Sequence, residues 1–227
     1  MSLLAPRNPD RPTPIVQLCV DVVTIPSAIE VAHMGLRAGV DWLEFGTPLI
    51  SFAGINSFGE FLSEFPGATT FLDAKVMDAS LRYVKTAAKL GIDMVCLCAS
   101  ASDATFRVAV AEGRESGVKI VGDLYAVADP VRRAKELIDV GVDYLYLHYG
   151  YDQLNEEPQN DRTLEHLVQI KEFCSLPIGI VASSTAFGEE AARSGADIIL
   201  VSHPFLIGPE AEDKLSDFVT RVKTAAR

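Results

Sequence analysis

Positive charge is scarce in this chain: 20 lysines and arginines stand against 31 aspartates and glutamates, for a formal net charge of -11. Nucleic acid and anionic membrane surfaces are therefore poor partners, because both select a positive field. A small phosphorylated ligand held by a local site stays compatible with that balance. Long apolar runs are missing too, although 48% of the residues are hydrophobic, so no segment reads as a membrane span. The opening MSLLAPRNPDRPTP lacks the basic start and continuous apolar stretch of a secretion signal, and residues 1–15 read as a flexible, proline-rich lead. A cytoplasmic location is the default expectation. The four cysteines, Cys19, Cys96, Cys98 and Cys174, form no CxxC pair. Three of them lie in apolar, strand-like runs, which predicts buried reduced thiols rather than a disulfide or a metal cluster. No GxGxxG turn follows the first apolar run, which weighs against a dinucleotide site.

What the chain does have is one pattern, repeated. A short apolar run rich in β-branched residues is followed by a segment with helical periodicity. The strand candidates are 18–23, 41–46, 69–76, 94–100, 119–127, 144–150, 177–183 and 197–203. Helical segments end on Gly39, Gly91, Gly117, Gly141 and Gly195, each a plausible stop. Four strands enter through similar steps: AGVDWLEF, LGIDMVCL, VGVDYLYL and SGADIILV. Eight such units with no spare segment predict an α/β fold of the (β/α)8 TIM-barrel type, a single domain over residues 16–227. A doubly wound open sheet is the rival, but it has no reason to close at eight. The stretch 151–163, YDQLNEEPQNDRT, reads as a long loop after strand six.

In a barrel, chemistry sits at the C-terminal strand ends. The polar residues expected there are Asp21, Glu44, Asp73, Lys75, Asp123, His148, Ser202 and His203, with Asp78 in the loop after strand three. Asp73 and Lys75 are two apart and so face the same side of their strand. Buried charges persist when paired or bound to metal, and the six from Asp21 to His148 read as lying at matching depths on five strands. A structural ion-pair network closing the barrel top is the competing explanation. Glu44 and Asp73, on neighbouring strands, form a hard-oxygen pair suited to Mg2+. Lys75 would add positive charge beside a developing oxyanion, and His148 could move a proton to or from carbon. His33 and His166 fall inside helical segments and read as surface or packing residues; Tyr149 and Tyr151 read as pocket walls.

These residues resemble a known group. LDAKVMD (72–78) looks like the D-x-K-x-x-D signature of the orotidine 5'-monophosphate decarboxylase suprafamily. LCVDVV with Asp21 and LEFGTPL with Glu44 are similar to its Mg2+-dependent branch, which holds 3-hexulose-6-phosphate synthase and 3-keto-L-gulonate-6-phosphate decarboxylase. VDYLYLHYGYDQ resembles the synthase's His-x-Gly-x-Asp segment. The resemblance implies a Mg2+-dependent lyase working through a metal-stabilised enediolate. Synthase-like aldolase chemistry on a keto-sugar or keto-sugar phosphate is the leading reading; the decarboxylase and a non-catalytic metabolite-binding barrel are the alternatives. It further implies Glu44 and Asp73 as metal ligands, Lys75 facing the enediolate, His148 as acid/base, and Asp21 and Asp123 in the charged network. Asp78 would reach the partner subunit's active site, so a homodimer is implied. The departure lies at the phosphate grip. Family members usually carry Gly-Gly after strand seven and Gly-Arg or Gly-Gly after strand eight, where this chain has Ser183-Ser184 and Ser202-His203-Pro204. Either Ser183, Ser184, Ser202 and His203 together still bind an anion at adjacent strand exits, or the substrate carries no phosphate there.

Overall fold

The computed structural model describes residues 13–158 and 161–226. Residues 1–12 of the expected lead lie outside that range, and Ile15 is already in the first strand. Eight parallel strands close into a barrel in sequence order: β1 (Ile15–Val20), β2 (Trp42–Phe45), β3 (Thr69–Val76), β4 (Met94–Cys98), β5 (Lys119–Asp123), β6 (Tyr144–Leu147), β7 (Ile178–Ala182) and β8 (Ile198–Val201). Around them run helices α1 (Ile25–Ala38), α2 (Thr47–Ala53), α3 (Phe58–Glu64), α4 (Ser80–Leu90), α5 (Asp103–Ser116), α6 (Pro130–Val140), α7 (Tyr151–Glu156), α8 (Thr163–Lys171), α9 (Thr185–Ser194) and α10 (Ala211–Ala225). The closed eight-stranded sheet settles the choice against an open one. Among the described residues no helix is long and apolar enough to cross a membrane.

Helix boundaries follow local chemistry. Thr24, Ser102, Asp129 and Ser184 cap α1, α5, α6 and α9 by accepting a backbone N–H through the side chain. The five expected glycine stops all adopt left-handed backbone, with φ from 79 to 114°. The stretch expected as a loop after β6 is different: α7 occupies its first six residues. Gly150 opens that helix, and its N–H is held by the Gln153 side chain at 3.1 Å, a local cap that compensates for the polar, irregular sequence.

Two apolar layers hold the barrel. The outer one packs the outward faces of the strands, such as Leu18, Leu43, Leu72 and Ile120, against the helices. Each fully buried side chain of this kind contributes roughly 1.5–3 kcal/mol. The inner one comprises Cys19, Phe71, Met94, Cys96, Val121, Tyr146, Ile198 and Leu200. All four cysteines are free and buried, as expected.

The four G-x-D steps turn out to be a repeated joint. Asp41, Asp93, Asp143 and Asp197 each stand just before an even-numbered strand. Each accepts a backbone N–H from the preceding odd strand: Val16 (2.8 Å), Thr70 (2.7 Å), Ile120 (2.9 Å) and Ile178 (2.7 Å). Three of these carboxylates also pair with a lysine, Asp41 with Lys223, Asp143 with Lys119 and Asp197 with Lys171. The closed end of the barrel is thus tied by one device used four times.

Candidate active site

A cavity of about 570 Å3 opens at the C-terminal strand ends. Because barrel strands tilt, each level of the interior is filled from alternate strands. The registers put Glu44, Cys96, Tyr146 and Leu200 of the even strands at one level. Cys19, Asp73, Asp123 and Val181 of the odd strands come next toward the mouth, and His148 and Ser202, then Asp21 and Lys75, lie above them. The six charged residues are therefore stacked over several levels, not set at one depth. Alternation along a tilted strand converts sequence offset into height. Asp21, His148, Ser183, Ser202 and His203 also stand just beyond their strands rather than on them.

β3 departs from regular pairing. Its register to β4 shifts between Leu72 and Val76, and Lys75 has φ 42°. A left-handed conformation at a lysine is strained, and such strain gathers where a side chain must be re-aimed. Here it delivers the ammonium to two carboxylates: Lys75 Nζ lies 2.8 Å from Asp73 Oδ2 and 3.3 Å from Asp123 Oδ2. Burial alone would lower the lysine pKa, but the charges of Asp73 and Asp123 outweigh it and hold Lys75 as a cation.

Asp123 organises the opposite wall. Its Oδ2 is 3.2 Å from His148 Nδ1, and its Oδ1 accepts the Tyr125 N–H at 3.0 Å. Burial would raise this carboxyl, yet His148, Lys75 and the Tyr125 amide together bring it down to about 2. It stays ionised and fixes the imidazole through Nδ1. His148 Nε2 has no hydrogen bond among the described residues. The Tyr125 ring sits 5.0 Å from the His148 ring and 5.9 Å from Lys75 Nζ.

Glu44 and Asp21 sit in the opposite electrostatic situation. Burial pushes the Glu44 carboxyl well up, and Asp73 and Asp21 push it further. Asp21 is raised by burial first and by Asp73, against a hydrogen bond from Ser202. The Asp21 carboxylate lies over Gly46, where a Cβ would come within 2.1 Å of its Oδ1. The site thus holds more buried negative charge than Lys75 neutralises, which suits a divalent cation. The arrangement of donors fits a hard one. Glu44 Oε2 is engaged by Gln17 and Cys19, while no donor among the described residues reaches Oε1. Asp73 takes Lys75 and the Thr47 hydroxyl, 2.8 Å from Oδ2. Asp73, Cys96 and Asp123 also bring possible ligand atoms within 4.8 Å of one another. That trio is a poorer site: Lys75 already sits between its two carboxylates, and burial pushes the Cys96 thiol well up, keeping it protonated.

At the anion end, Ser183, Ser202 and His203 line the cavity, but Ser184 does not. Its hydroxyl accepts the Phe187 N–H at 3.2 Å and caps α9. The Ser202 hydroxyl donates to Asp21 Oδ2 at 2.6 Å. Asp78 is exposed in the turn after β3 and outside its own chain's cavity. Tyr149 and Tyr151 are walls, as expected. The sequence reading missed Gln17, Thr47, Tyr125 and Tyr146. Thr47-Pro48 directly after Gly46 is a helix-start signal that could have flagged Thr47.

Comparison with known proteins bears on the family and the fold. The chain is 36% identical over 155 residues to 3-hexulose-6-phosphate synthase of Bacillus subtilis (strain 168), covering 68% of this chain and 72% of that protein. It is 35% identical over 159 residues to 3-hexulose-6-phosphate synthase 2 of Staphylococcus saprophyticus, covering 70% and 73%. In fold, it matches a crystal structure of 3-hexulose-6-phosphate synthase with a TM-score of 0.82 at 24% identity, over 94% of this chain and 100% of that one. A crystal structure of 3-keto-L-gulonate-6-phosphate decarboxylase from Vibrio cholerae gives 0.80, at 18% identity, over 93% and 98%. The family model described as orotidine 5'-phosphate decarboxylase / HUMPS matches residues 14–214. By that match and by these relatives, the chain belongs to the orotidine 5'-phosphate decarboxylase / HUMPS family.

Proposed function

We propose that this protein is a Mg2+-dependent lyase that forms an enediolate, with aldolase chemistry of the 3-hexulose-6-phosphate synthase kind on a keto-sugar or keto-sugar phosphate. The observation that carries the reading is the linked set Asp73–Lys75–Asp123–His148, which joins a fixed cation to an oriented base in one cavity. The synthase relatives support lyase-type chemistry. Glu44 and Asp73 would hold the metal. Bound there, Mg2+ supplies Lewis-acid polarisation of a carbonyl and its neighbouring hydroxyl.

The chain's own residues divide the remaining work. Lys75, held charged by two carboxylates, stabilises negative charge on oxygen and is a poor proton carrier at neutral pH. His148, anchored through Nδ1, presents an Nε2 with no hydrogen bond among the described residues, placed to take a proton from carbon or return it. Asp123 keeps the ring's orientation and tautomer. Asp78, exposed on its own protomer, would complete the partner subunit's site in a homodimer. A working monomer in sedimentation, fully active, would rule that out.

The test is a screen of keto-sugars and their phosphates for aldol cleavage and for decarboxylation, with Mg2+ and with chelator. Mg2+-dependent cleavage or condensation supports the aldolase; Mg2+-dependent release of CO2 supports the decarboxylase; turnover unaffected by chelator contradicts both.

A second reading concerns the substrate's far end. Ser202 is committed to Asp21, Ser184 to its own helix, and Pro204 has no N–H, so His203 is the one basic side chain left near the β7–β8 exits of the cavity among the described residues. Tyr149, Tyr151 and Leu154 supply aromatic and apolar surface at the mouth. This favours a ketose without a phosphate at that position. The same screen decides, since each ketose is run beside its phosphate. If His203→Arg tightens phosphate binding markedly, the exits have anion-site geometry and lack only charge.

A further inference from the structure

At the cavity floor a buried polar chain leads to Glu44 from two residues, Tyr146 and Gln17, that the proposed chemistry does not use. Tyr146 O–H donates to Gln17 Oε1 at 2.6 Å, and Gln17 Nε2 donates to Glu44 Oε2 at 2.5 Å. The three side chains are almost fully enclosed, at 3%, 0% and 4% exposure. They come from β6, β1 and β2, so the chain spans the barrel interior. A buried polar group costs free energy unless it is bonded, and an apolar trio would fill this volume at no such cost.

We propose that Tyr146 and Gln17 are positioning residues that fix the Glu44 carboxylate for a divalent cation; the inference rests on the reading of Glu44 as a metal ligand. The chain has a direction. A phenol deep in the interior must donate, and burial together with Glu44 pushes its pKa well up, so it keeps its proton. That donation sets which end of the Gln17 amide faces Tyr146, and hence turns the NH2 toward Glu44. A reversed amide would set carbonyl oxygen against carboxylate oxygen. The phenol itself cannot drift. Its ring stacks on Phe71, with centroids 5.1 Å apart and planes 12° apart. Gly179 makes room for it: a Cβ there would fall 2.6 Å from the ring. With the Cys19 thiol as a second donor at 3.1 Å, both protein contacts fall on Oε2, and Oε1 is left for a ligand. Without the chain, a long, flexible glutamate would lose rotamer entropy in taking up that pose at each binding event.

The test is Mg2+ binding by calorimetry, with Mn2+ binding by electron paramagnetic resonance as a second readout, in the full-length protein without substrate. The variants are Tyr146→Phe, Gln17→Asn and Glu44→Gln. Tyr146→Phe removes one oxygen and keeps the stack on Phe71. The expected result is a loss of metal affinity of about 10–100-fold, the usual cost of losing a residue that orients a ligand, with the circular dichroism spectrum unchanged. Gln17→Asn, too short to bridge, should lose as much, and it carries the test if Tyr146→Phe fails to fold. Glu44→Gln should abolish binding. Affinity within twofold of the parent in both positioning variants, with Glu44→Gln still abolishing binding, overturns this inference and leaves the metal reading standing. A parent protein that binds neither ion overturns both.

Discussion

The two ends of this barrel each carry four acidic residues, and they solve opposite problems. At the closed end, Asp41, Asp93, Asp143 and Asp197 repeat one joint, each with a backbone N–H from the neighbouring strand. At the mouth, Asp21, Glu44, Asp73 and Asp123 share one lysine and two histidines in a cavity, and two of them, Glu44 and Asp21, are pushed up by burial and by the nearby Asp73 carboxylate. Carboxylates placed to be satisfied by backbone stabilise the fold. Carboxylates placed against one another hold a charge imbalance that a ligand can relieve, which is the general division of labour between barrel faces.

Mutations should separate the two ends cleanly. Glu44→Gln is expected to cost the most function, more than ~10^3-fold in Mg2+-dependent turnover. In the metal-free protein it should raise the melting temperature, because it removes a buried charge whose ionisation burial opposes. Lost activity with a lowered metal-free melting temperature would break the comparison. Lys75→Met should cost on the order of 10^2–10^3-fold in kcat and also lower stability, since it leaves Asp73 and Asp123 without their cation. At the closed end, Asp93→Ala should lower unfolding free energy by about 1–3 kcal/mol while turnover per folded molecule stays within about twofold. A large loss of turnover there would mean that the lower rim also shapes the site.

The smallest and most specific effect is the pH response. Asp123 is held at about 2 against an ordinary 3.8. Its contribution, about 2 kcal/mol, is present in full above pH 3.8 and is lost as pH falls through 2. Glu44 and Asp21 act in the reverse sense: their raised values favour the fold at low pH, and that contribution is lost as pH climbs toward them. Chemical denaturation from pH 2 to 5 should therefore show Asp123→Asn with a flatter acid limb than the parent. Equal limbs would mean that Asp123 is not held down by its partners.

Much of this was legible in the sequence. Glycine stops followed by aspartate marked where helices end and strands begin, because left-handed glycine and strand entry are local matters. Spacing placed Asp73 and Lys75 on one face. The levels of the interior were not legible, since height depends on strand tilt and on the β3 irregularity at Leu72–Val76, and neither leaves a residue signature. Ser184 was read as a ligand because its position matched; its hydroxyl serves the helix it precedes. Gln17 and Tyr146 looked like ordinary strand residues, and only closure of the barrel brings positions 129 residues apart into contact.

The most direct test of the mouth as a metal-dependent proton-transfer site is hydrogen–deuterium exchange at the carbon beside the carbonyl of a ketopentose and of its 5-phosphate. It is followed by proton NMR in D2O, with Mg2+ or with excess chelator, for the parent and Glu44→Gln. Exchange of at least one of the two by the parent with Mg2+, and by neither protein without it, is the expected result. Exchange that persists in chelator or in Glu44→Gln would contradict it.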